Sequence, residues 1–304
     1  MKQILRITIG LTLSCLIAAF VMGSVFTVTD TAKKQNEHQN RLDTMLGLLG
    51  YNKANPAPSA LRFYTIYRYI IEDGEEKYLG YMTPVERGGT ETYELLFIDM
   101  EGKFVGREEI RISQEKAIEA PDREKALEAV LRSPKRFTYT DSTVIAEWGD
   151  KRLAYLLPGE FSGFKTFISV MLALDPNFNI LGLEITEDEE DPGLGAEIEQ
   201  EYFKNQFKGK TLEKVKDLDV IKEPLPEDYR RYLENKKWGK GAFSEEEIAS
   251  IRNKYRDSDI YALTGATISS KAVTDGVKGM IRRFAYRIEI LDGVIASQEV
   301  PVAF

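Results

Sequence analysis

The chain has 304 residues, of which 43% are hydrophobic and 30% charged, so it can bury a sizeable core and has room for about two domains. Its net charge of −8 argues against nucleic acid as a partner, because phosphate binding needs clustered cations. The single cysteine, Cys15, excludes an internal disulfide, an iron–sulfur cluster held by this chain alone and a Cys-rich zinc site, and the single histidine, His38, argues against a His-based triad or a poly-His metal site.

The first element along the chain is an uncharged run, Ile7 to Val28, between Arg6 and Asp30. As a helix it would cover about 33 Å, enough to cross a hydrocarbon core of about 30 Å. A cleaved signal peptide is the competing interpretation, but no convincing small-residue cleavage site follows the apolar run. We therefore expect an uncleaved single-span anchor over residues 1–29. Basic residues flank both ends of the run, so the charge distribution does not decide its orientation.

Residues 30–60 are expected to form a stalk between the membrane and a folded domain. The segment is polar at first and then carries apolar residues with the spacing of a short amphipathic helix, namely Leu42, Met45, Leu46 and Leu49. A turn follows at Asn55-Pro56-Ala57-Pro58.

Residues 61–135 are predicted to form an N-terminal β-rich half. Strand-like runs cover residues 63–70, 93–98 and 104–105, with turn residues between them. Residues 114–132 have a helical pattern that ends at Ser133-Pro134.

Residues 136–304 are predicted to form a second domain in which strands again precede helices. Strand-like runs cover residues 166–174 and 180–185, and helical patterns cover residues 244–255 and 270–291. Strands and helices in separate blocks favour an α+β fold. The last helix carries one apolar stripe, made of Val273, Val277, Ile281, Phe284 and Ile288.

The two halves share a local pattern. An apolar run ends in an aspartate, and a glycine follows seven residues later, as Asp99 with Gly106 and as Asp175 with Gly182. An internal repeat is one interpretation of this pattern. Two hairpins that look alike by chance are the other, because every hairpin needs turn residues.

The entrance to the last helix is the most informative site for chemistry. Four hydroxyl side chains lie within seven residues there, around a glycine that allows close backbone approach: Thr264, Thr267, Ser269 and Ser270 with Gly265. Ser269 or Ser270 can cap the helix, and the free N–H groups and positive dipole end of a helix can bind phosphate. Ordinary capping without a ligand is the alternative interpretation.

Five consecutive acidic residues, Glu187 to Asp191, precede a Pro-Gly turn. Their oxygens could hold a cation, but a solvated acidic loop is the interpretation we favour. No metal site is predicted.

Thr264-Gly265-Ala266-Thr267, followed by Ser269 and Ser270, resembles the flavinylation motif of FMN-binding domains. These domains occur in the G subunit of the Rnf electron-transport complex and in the C subunit of the sodium-translocating NADH:quinone reductase. The resemblance implies that Thr267 carries FMN through a phosphoester bond made by a flavin transferase. It also implies that Gly265 and Ala266 belong to the cofactor site.

A second signature, Glu190 to Gly195, is similar to the Glu-Thr-Pro-Gly-Leu-Gly sequence of the same family. We expect Gly193, Leu194 and Gly195 to lie against the isoalloxazine ring. Two positions differ from the family pattern: Asp191 replaces the threonine of this signature, and Tyr261 stands where the family usually has an aspartate six residues before the flavinylated threonine.

Together these features predict an α+β protein with a single N-terminal transmembrane helix and a β-rich FMN-binding domain. The resemblance implies a redox subunit, not a catalyst alone, that relays electrons between other membrane subunits of an ion-translocating complex. It also implies an inner (plasma) membrane location with the C-terminal domain on the extracytoplasmic side. The alternatives are a quinone-reductase C-type subunit, a stand-alone FMN-binding regulator and a cofactor-free tethered interaction module.

Overall fold

A computed structural model describes residues 2–149, 151–234 and 243–304. The chain divides into two compact units, one that ends at Gly47 and one that begins at Leu48. The first unit is helix α1, which spans Lys2–Leu48. Within it, Gln3–Phe26 is long and apolar enough to cross a membrane. The polar part of the expected stalk continues the same helix without a break.

Ion pairs four residues apart support the polar part of α1, which explains why the helix continues there. Lys34 pairs with Asp30 at 3.2 Å and Lys33 with Glu37 at 3.6 Å. The short amphipathic helix expected near residues 42–49 is therefore the end of a 47-residue helix and not a separate element. The turn expected at Asn55–Pro58 lies three residues earlier, where Asn52 and Asn55 are bridged through their backbones around residues 53 and 54.

The second unit is built on an eight-stranded antiparallel sheet with the strand order β4-β3-β2-β1-β5-β6-β7-β8. The strands are β1 Leu61–Asp73, β2 Glu76–Arg87, β3 Thr90–Ile98, β4 Phe104–Ile110, β5 Arg136–Trp148, β6 Arg152–Ser162, β7 Phe167–Leu174 and β8 Ile180–Glu187. A two-stranded parallel pair, β9 Val220–Ile221 and β10 Ile260–Tyr261, lies outside this sheet.

The described helices of this unit are α2 Gln114–Ala117, α3 Ala120–Val130, α4 Glu201–Lys204, α5 Leu212–Lys216, α6 Glu227–Leu233, α7 Glu245–Tyr255 and α8 Thr267–Ser297. A 3-10 turn covers Gly195–Glu199. Strands β2, β5 and β6 were not predicted from the sequence. The single helix predicted over residues 114–132 is two helices, because the chain leaves the first at Ile118 and restarts just before Pro121, a residue suited to the first turn.

The sheet consists of two four-stranded meanders, β1–β4 and β5–β8, which meet where β1 pairs antiparallel with β5. The turns between their last two strands have the same hydrogen bonds. Asp99 Oδ1 accepts the N–H groups of Glu101 and Lys103, and Asp175 Oδ1 accepts those of Asn177 and Asn179. The pairing register also shifts at the same place, one residue before each aspartate. This arrangement supports the internal-repeat interpretation.

Helix α8 packs on one face of the sheet. The whole predicted stripe, from Val273 to Ile288, is buried, at 0–4% exposure, in one cluster with strand residues of both halves, including Ile66, Leu96, Ile145, Leu157 and Leu172. Each such side chain contributes about 1.5–3 kcal/mol by leaving water. Helix α3 buries Leu127 with a second cluster, which includes Tyr69, Met82 and Leu95.

The domain boundary expected at residue 135 coincides with the start of β5, but the two segments do not form separate domains. They share one sheet within one compact unit. The pairing of β1 with β5 across the boundary is a long-range contact, which local sequence patterns do not report.

The repeated turn gives a stability prediction. We expect Asp175→Ala to lower the free energy of unfolding by about 1–3 kcal/mol, because the side chain accepts three hydrogen bonds, from two backbone N–H groups and from Asn179 Nδ2. Asp175→Asn keeps an acceptor oxygen and should lose less. Urea unfolding of the full chain in detergent measures both, and an Asp175→Ala curve that overlays the wild type would contradict the role of the turn.

Candidate functional site

Helix α8 begins at Thr267, three residues earlier than expected from the sequence, so Ala266 occupies the N-cap position. Ser269 and Ser270, the residues predicted as caps, lie inside the first turn and are buried. Ser270 Oγ accepts the N–H of Leu263 at 3.0 Å and donates to the carbonyl of Ala266 at 2.9 Å. The Ser270 side chain therefore links two backbone groups of the loop before the helix and does not cap the helix N-terminus.

An alanine at the N-cap has no side-chain acceptor, so the first N–H groups of α8 are not capped from that position. Some shorter helices of this chain are capped by a hydroxyl, as when Ser244 accepts from Glu247 N before α7 and Thr211 from Lys214 N before α5, whereas α3, α4 and α6 also lack a side-chain cap. Since the positive end of a 31-residue helix also lies here, the N-terminus of α8 favours a negatively charged group.

The two sequence motifs are in contact. Gly265 has φ +78°, a conformation that favours glycine, and a Cβ there would lie 3.0 Å from Leu194 Cδ2. Leu194 is 47% exposed, and Gly193, with φ +75°, has no atom within 4 Å of where its Cβ would be. The 193–195 turn thus lies beside the loop that leads into α8 and leaves open space next to it.

Glu190 connects this turn to α8 and to the hairpin between β6 and β7. Its carboxylate accepts from Ser269 Oγ at 2.6 Å and from the backbone N–H groups of Phe164 and Lys165 at 2.7 and 3.1 Å. Glu190 is 5% exposed. The expectation of a uniformly solvated acidic loop is therefore wrong at its fourth residue, which is a buried hydrogen-bond acceptor.

Tyr261 is held by its backbone. The side-chain amide of Gln206 accepts from Tyr261 N at 2.8 Å and donates to Tyr261 O at 3.2 Å. The amide thus pairs with both backbone groups of Tyr261, as the backbone of an adjacent strand would. The phenol packs edge-on against Tyr229 at 6.2 Å. Asp259, the nearest acid in sequence, is paired with Lys214 at 2.6 Å.

Lys210 anchors the segment that leads into β10. Its ammonium group is buried and donates to the carbonyl of Ser258 at 2.5 Å. Burial lowers the pKa of Lys210 to about 8, with a further contribution from Lys214. The start of the Thr264–Thr267 loop is thus tied to the segment that follows α4.

The structure brings together every residue predicted for the site. Thr264, Gly265, Ala266, Thr267, Ser269 and Ser270 surround the start of α8, and Gly193, Leu194 and Gly195 lie beside it. Thr267 is half-buried and Thr264 exposed. Three exposed apolar residues belong to the segments that form the site: Phe164 in the hairpin tip, Leu194 in the 193–195 turn and Ile268 next to Thr267. Such a surface suits a flat, partly apolar ligand attached at a helix N-terminus.

The β6–β7 hairpin tip and the role of Glu190 were not predicted from the sequence. The glutamate opens the second motif, so the motif pointed to the residue, but nothing in the sequence indicated that residues 163–165 would lie against it. Among the described residues, no group of three or more His, Cys, Asp or Glu side chains is arranged to hold a metal ion.

Residues 163–282 match the family model of the FMN-binding domain. The match begins at the hairpin tip bound by Glu190 and extends into α8, so it includes every element of the site. A curated relative, the G subunit of the proton-translocating ferredoxin:NAD(+) oxidoreductase complex of Clostridium ljungdahlii, is 31% identical over 138 residues. The aligned region covers 45% of this chain and 57% of the relative, so the chain spans little more than half of that relative's length.

Two solved structures show a lower similarity. NqrC from Shewanella oneidensis is 18% identical with a TM-score of 0.35, covering 50% of this chain and 59% of that one. The C subunit of the Na(+)-translocating NADH-quinone reductase from Parabacteroides distasonis is 17% identical with a TM-score of 0.32, covering 64% and 74%.

Lys210 gives a prediction for the pH dependence of stability. Between pH 8 and about 10.4, its ordinary pKa, the unfolded chain binds more protons at Lys210 than the folded chain, so this residue makes the free energy of unfolding rise with pH. Lys210→Met should remove that rise, whereas Lys208→Met, at an exposed position, should keep it. Urea midpoints across this pH range measure the slope, and an unchanged slope in Lys210→Met would refute the assignment.

Proposed function

We propose that this chain, which carries an FMN-binding domain in residues 163–282, is the membrane-anchored flavoprotein subunit of an Rnf-type, ion-translocating electron-transport complex, with FMN esterified to Thr267. One observation carries the proposal: Thr267, a half-buried residue with a hydroxyl group, is the first residue of a 31-residue helix that lacks a side-chain cap. The Clostridium relative, named as the G subunit of a ferredoxin:NAD(+) oxidoreductase complex, supports the proposal that this chain belongs to a complex of that kind.

The start of α8 fits a phosphoryl group. The N–H groups of its first turn point out of the helix, and the helix dipole favours the negative charge that remains on a phosphodiester. Gly265 lets the preceding loop approach closely because it has no Cβ. An ester at Thr267 Oγ1 would place the phosphoryl group beside these donors.

The surface beside Thr267 fits a flavin ring. Gly193 leaves open space, and Leu194 and Ile268 present apolar side chains at 47% and 60% exposure. Covering such side chains with an aromatic ring removes them from water. Gly195 lies below this surface, where Ser269 Oγ and the Glu190 carboxylate leave no room for a side chain.

FMN supplies the redox chemistry when bound, and the chain supplies attachment, orientation and polarity around the ring. The described residues include no acid–base pair poised for catalysis at the site, because the nearby carboxylate of Glu190 is occupied by three donors. In this proposal the chain acts as an electron relay whose donor and acceptor are other membrane subunits. A flavin transferase would attach FMN through the exposed side of the Thr264–Thr267 loop.

The ester linkage predicts the mass of the mature protein. The purified chain should carry the mass of one FMN less one water and should stay fluorescent after denaturing gel electrophoresis. Thr267→Ala should lose both signals, because the acceptor oxygen is gone, while Thr267→Ser should keep the modification and Thr186→Ala, at an exposed position on β8, should be unaffected. A Thr267→Ala chain that keeps its flavin through denaturation would eliminate this attachment site.

The resemblance to extracytoplasmic flavoproteins predicts the side of the membrane on which the sheet domain lies. Met100, in the β3–β4 turn, is 69% exposed, so a Met100→Cys variant in a Cys15→Ser background offers one accessible thiol. A membrane-impermeant maleimide should label this thiol in intact spheroplasts. Labelling that requires permeabilised cells would place the domain in the cytoplasm and refute the prediction.

A further inference from the structure

We infer that Glu190 is a positioning residue for the flavin: its carboxylate fixes the first turn of α8 and the β6–β7 hairpin tip in one arrangement around Thr267. This inference rests on the proposed attachment of FMN to Thr267. It assigns a task to a residue whose carboxylate bonds Ser269 and the hairpin backbone and that therefore acts on Thr267 through them.

The two oxygens of Glu190 divide their partners between two elements. Oε2 accepts from Ser269 Oγ, two residues after Thr267 in the same helical turn. Oε1 accepts the N–H groups of Phe164 and Lys165 at the hairpin tip. Since one planar carboxylate holds both elements, the backbone of Phe164 lies only two hydrogen bonds away from Ser269 Oγ.

The space around the carboxylate is shaped by two glycines. A Cβ at Gly195 would lie 2.5 Å from Oε2 and 2.9 Å from Ser269 Oγ, and a Cβ at Gly163 would overlap Oε1. Any other residue at these positions would push the carboxylate away from its donors. The close approach of Gly163 and Gly195 to the two oxygens indicates a pocket that fits one carboxylate.

Glu190 itself is held by its own turn. Its backbone N–H donates to Asp188 Oδ1 at 2.9 Å, and the carbonyl of Asp191 accepts from the N–H groups of Leu194 and Ala196 at 3.0 and 3.1 Å. Lys165 also pairs with Asp191, which adds a second link between the hairpin tip and the turn. The carboxylate therefore acts as a fixed point between the two elements.

Loss of this fixed point would affect the flavin more than the fold. The apolar stripe of α8 begins at Val273, one turn beyond Ser269, and packs on the sheet, so we expect it to stay buried without Glu190. The Ser269 hydroxyl and two backbone N–H groups would lose their acceptor, so the first turn of α8 and the tip with Phe164 would move independently. A flavin on Thr267 would then sample several orientations against the 193–195 turn.

The test compares Glu190→Ala and Glu190→Gln in the full chain, co-expressed with its maturation machinery. An uncharged amide of the same shape can accept the backbone N–H groups with its oxygen and donate to Ser269 Oγ with its nitrogen, so we expect Glu190→Gln to restore the wild-type properties. Glu190→Ala should slow flavin incorporation on the order of tenfold, the effect of losing hydrogen bonds to a charged group. It should also weaken the visible circular dichroism of the incorporated flavin. Glu189→Ala, at the exposed neighbouring acid, is the matched control.

The measurements are intact mass against time, visible circular dichroism per bound flavin, and the thermal midpoint. Ser269→Ala removes only the link to α8 and decides the question if Glu190→Ala does not fold; it should reduce the flavin dichroism while the thermal midpoint stays near that of Glu189→Ala. If wild-type chain gains FMN while Glu190→Ala and Ser269→Ala match it in rate and dichroism, the positioning role is overturned. If wild-type chain gains no FMN, the proposed function itself is overturned.

Discussion

The packing of one apolar stripe of α8 against the sheet determines where the candidate site can be. Because Val273, Val277 and Ile281 are buried in the main core, the helix cannot slide or rotate without exposing them to water. The helix N-terminus is thereby held at the end of the sheet where the β6–β7 hairpin turns. Glu190 only has to bridge a short remaining distance, and hydrogen bonds of ordinary length suffice for that.

The two meanders have the same architecture, but only one of them is followed by the segments of the candidate site. Both have the same aspartate turn and the same register shift, yet the Thr264–Thr267 loop and α8 follow only the second meander, while the first is followed by the short helices α2 and α3. Both meanders thus form the sheet, but the candidate site lies at one end of it. An eight-stranded sheet widens the surface on which one long helix can be buried, and the N-terminus of that helix carries its partial positive charge at Thr267.

Features with a local periodic signal could be predicted from the sequence. The stripe of α8, the apolar run of α1 and the helix that follows Ser244 are of this kind, whereas the Gly-Ala-Thr loop was singled out by its motif and not by a periodic pattern. Strands β2 and β6 were missed because their alternation is interrupted by residues such as Gly80, Pro84 and Gly159, and β5 was missed because polar residues dominate its first half. The β1–β5 pairing and the contact of Glu190 with the hairpin tip depend on residues far apart in sequence, and no local pattern encodes them. The start of α8 was placed too late because serines are common caps, and here they point inward.

The seam between β1 and β5 has a consequence for dissecting the molecule. Each strand is 13 residues long, and each supplies the other with backbone hydrogen bonds over most of that length. Cutting the chain before Arg136 to isolate the second meander would leave β5 as a long open edge, the kind of surface that templates aggregation. A fragment that contains only the second meander would therefore need the first meander supplied as a separate chain, and the unit suited to biochemical work includes both meanders.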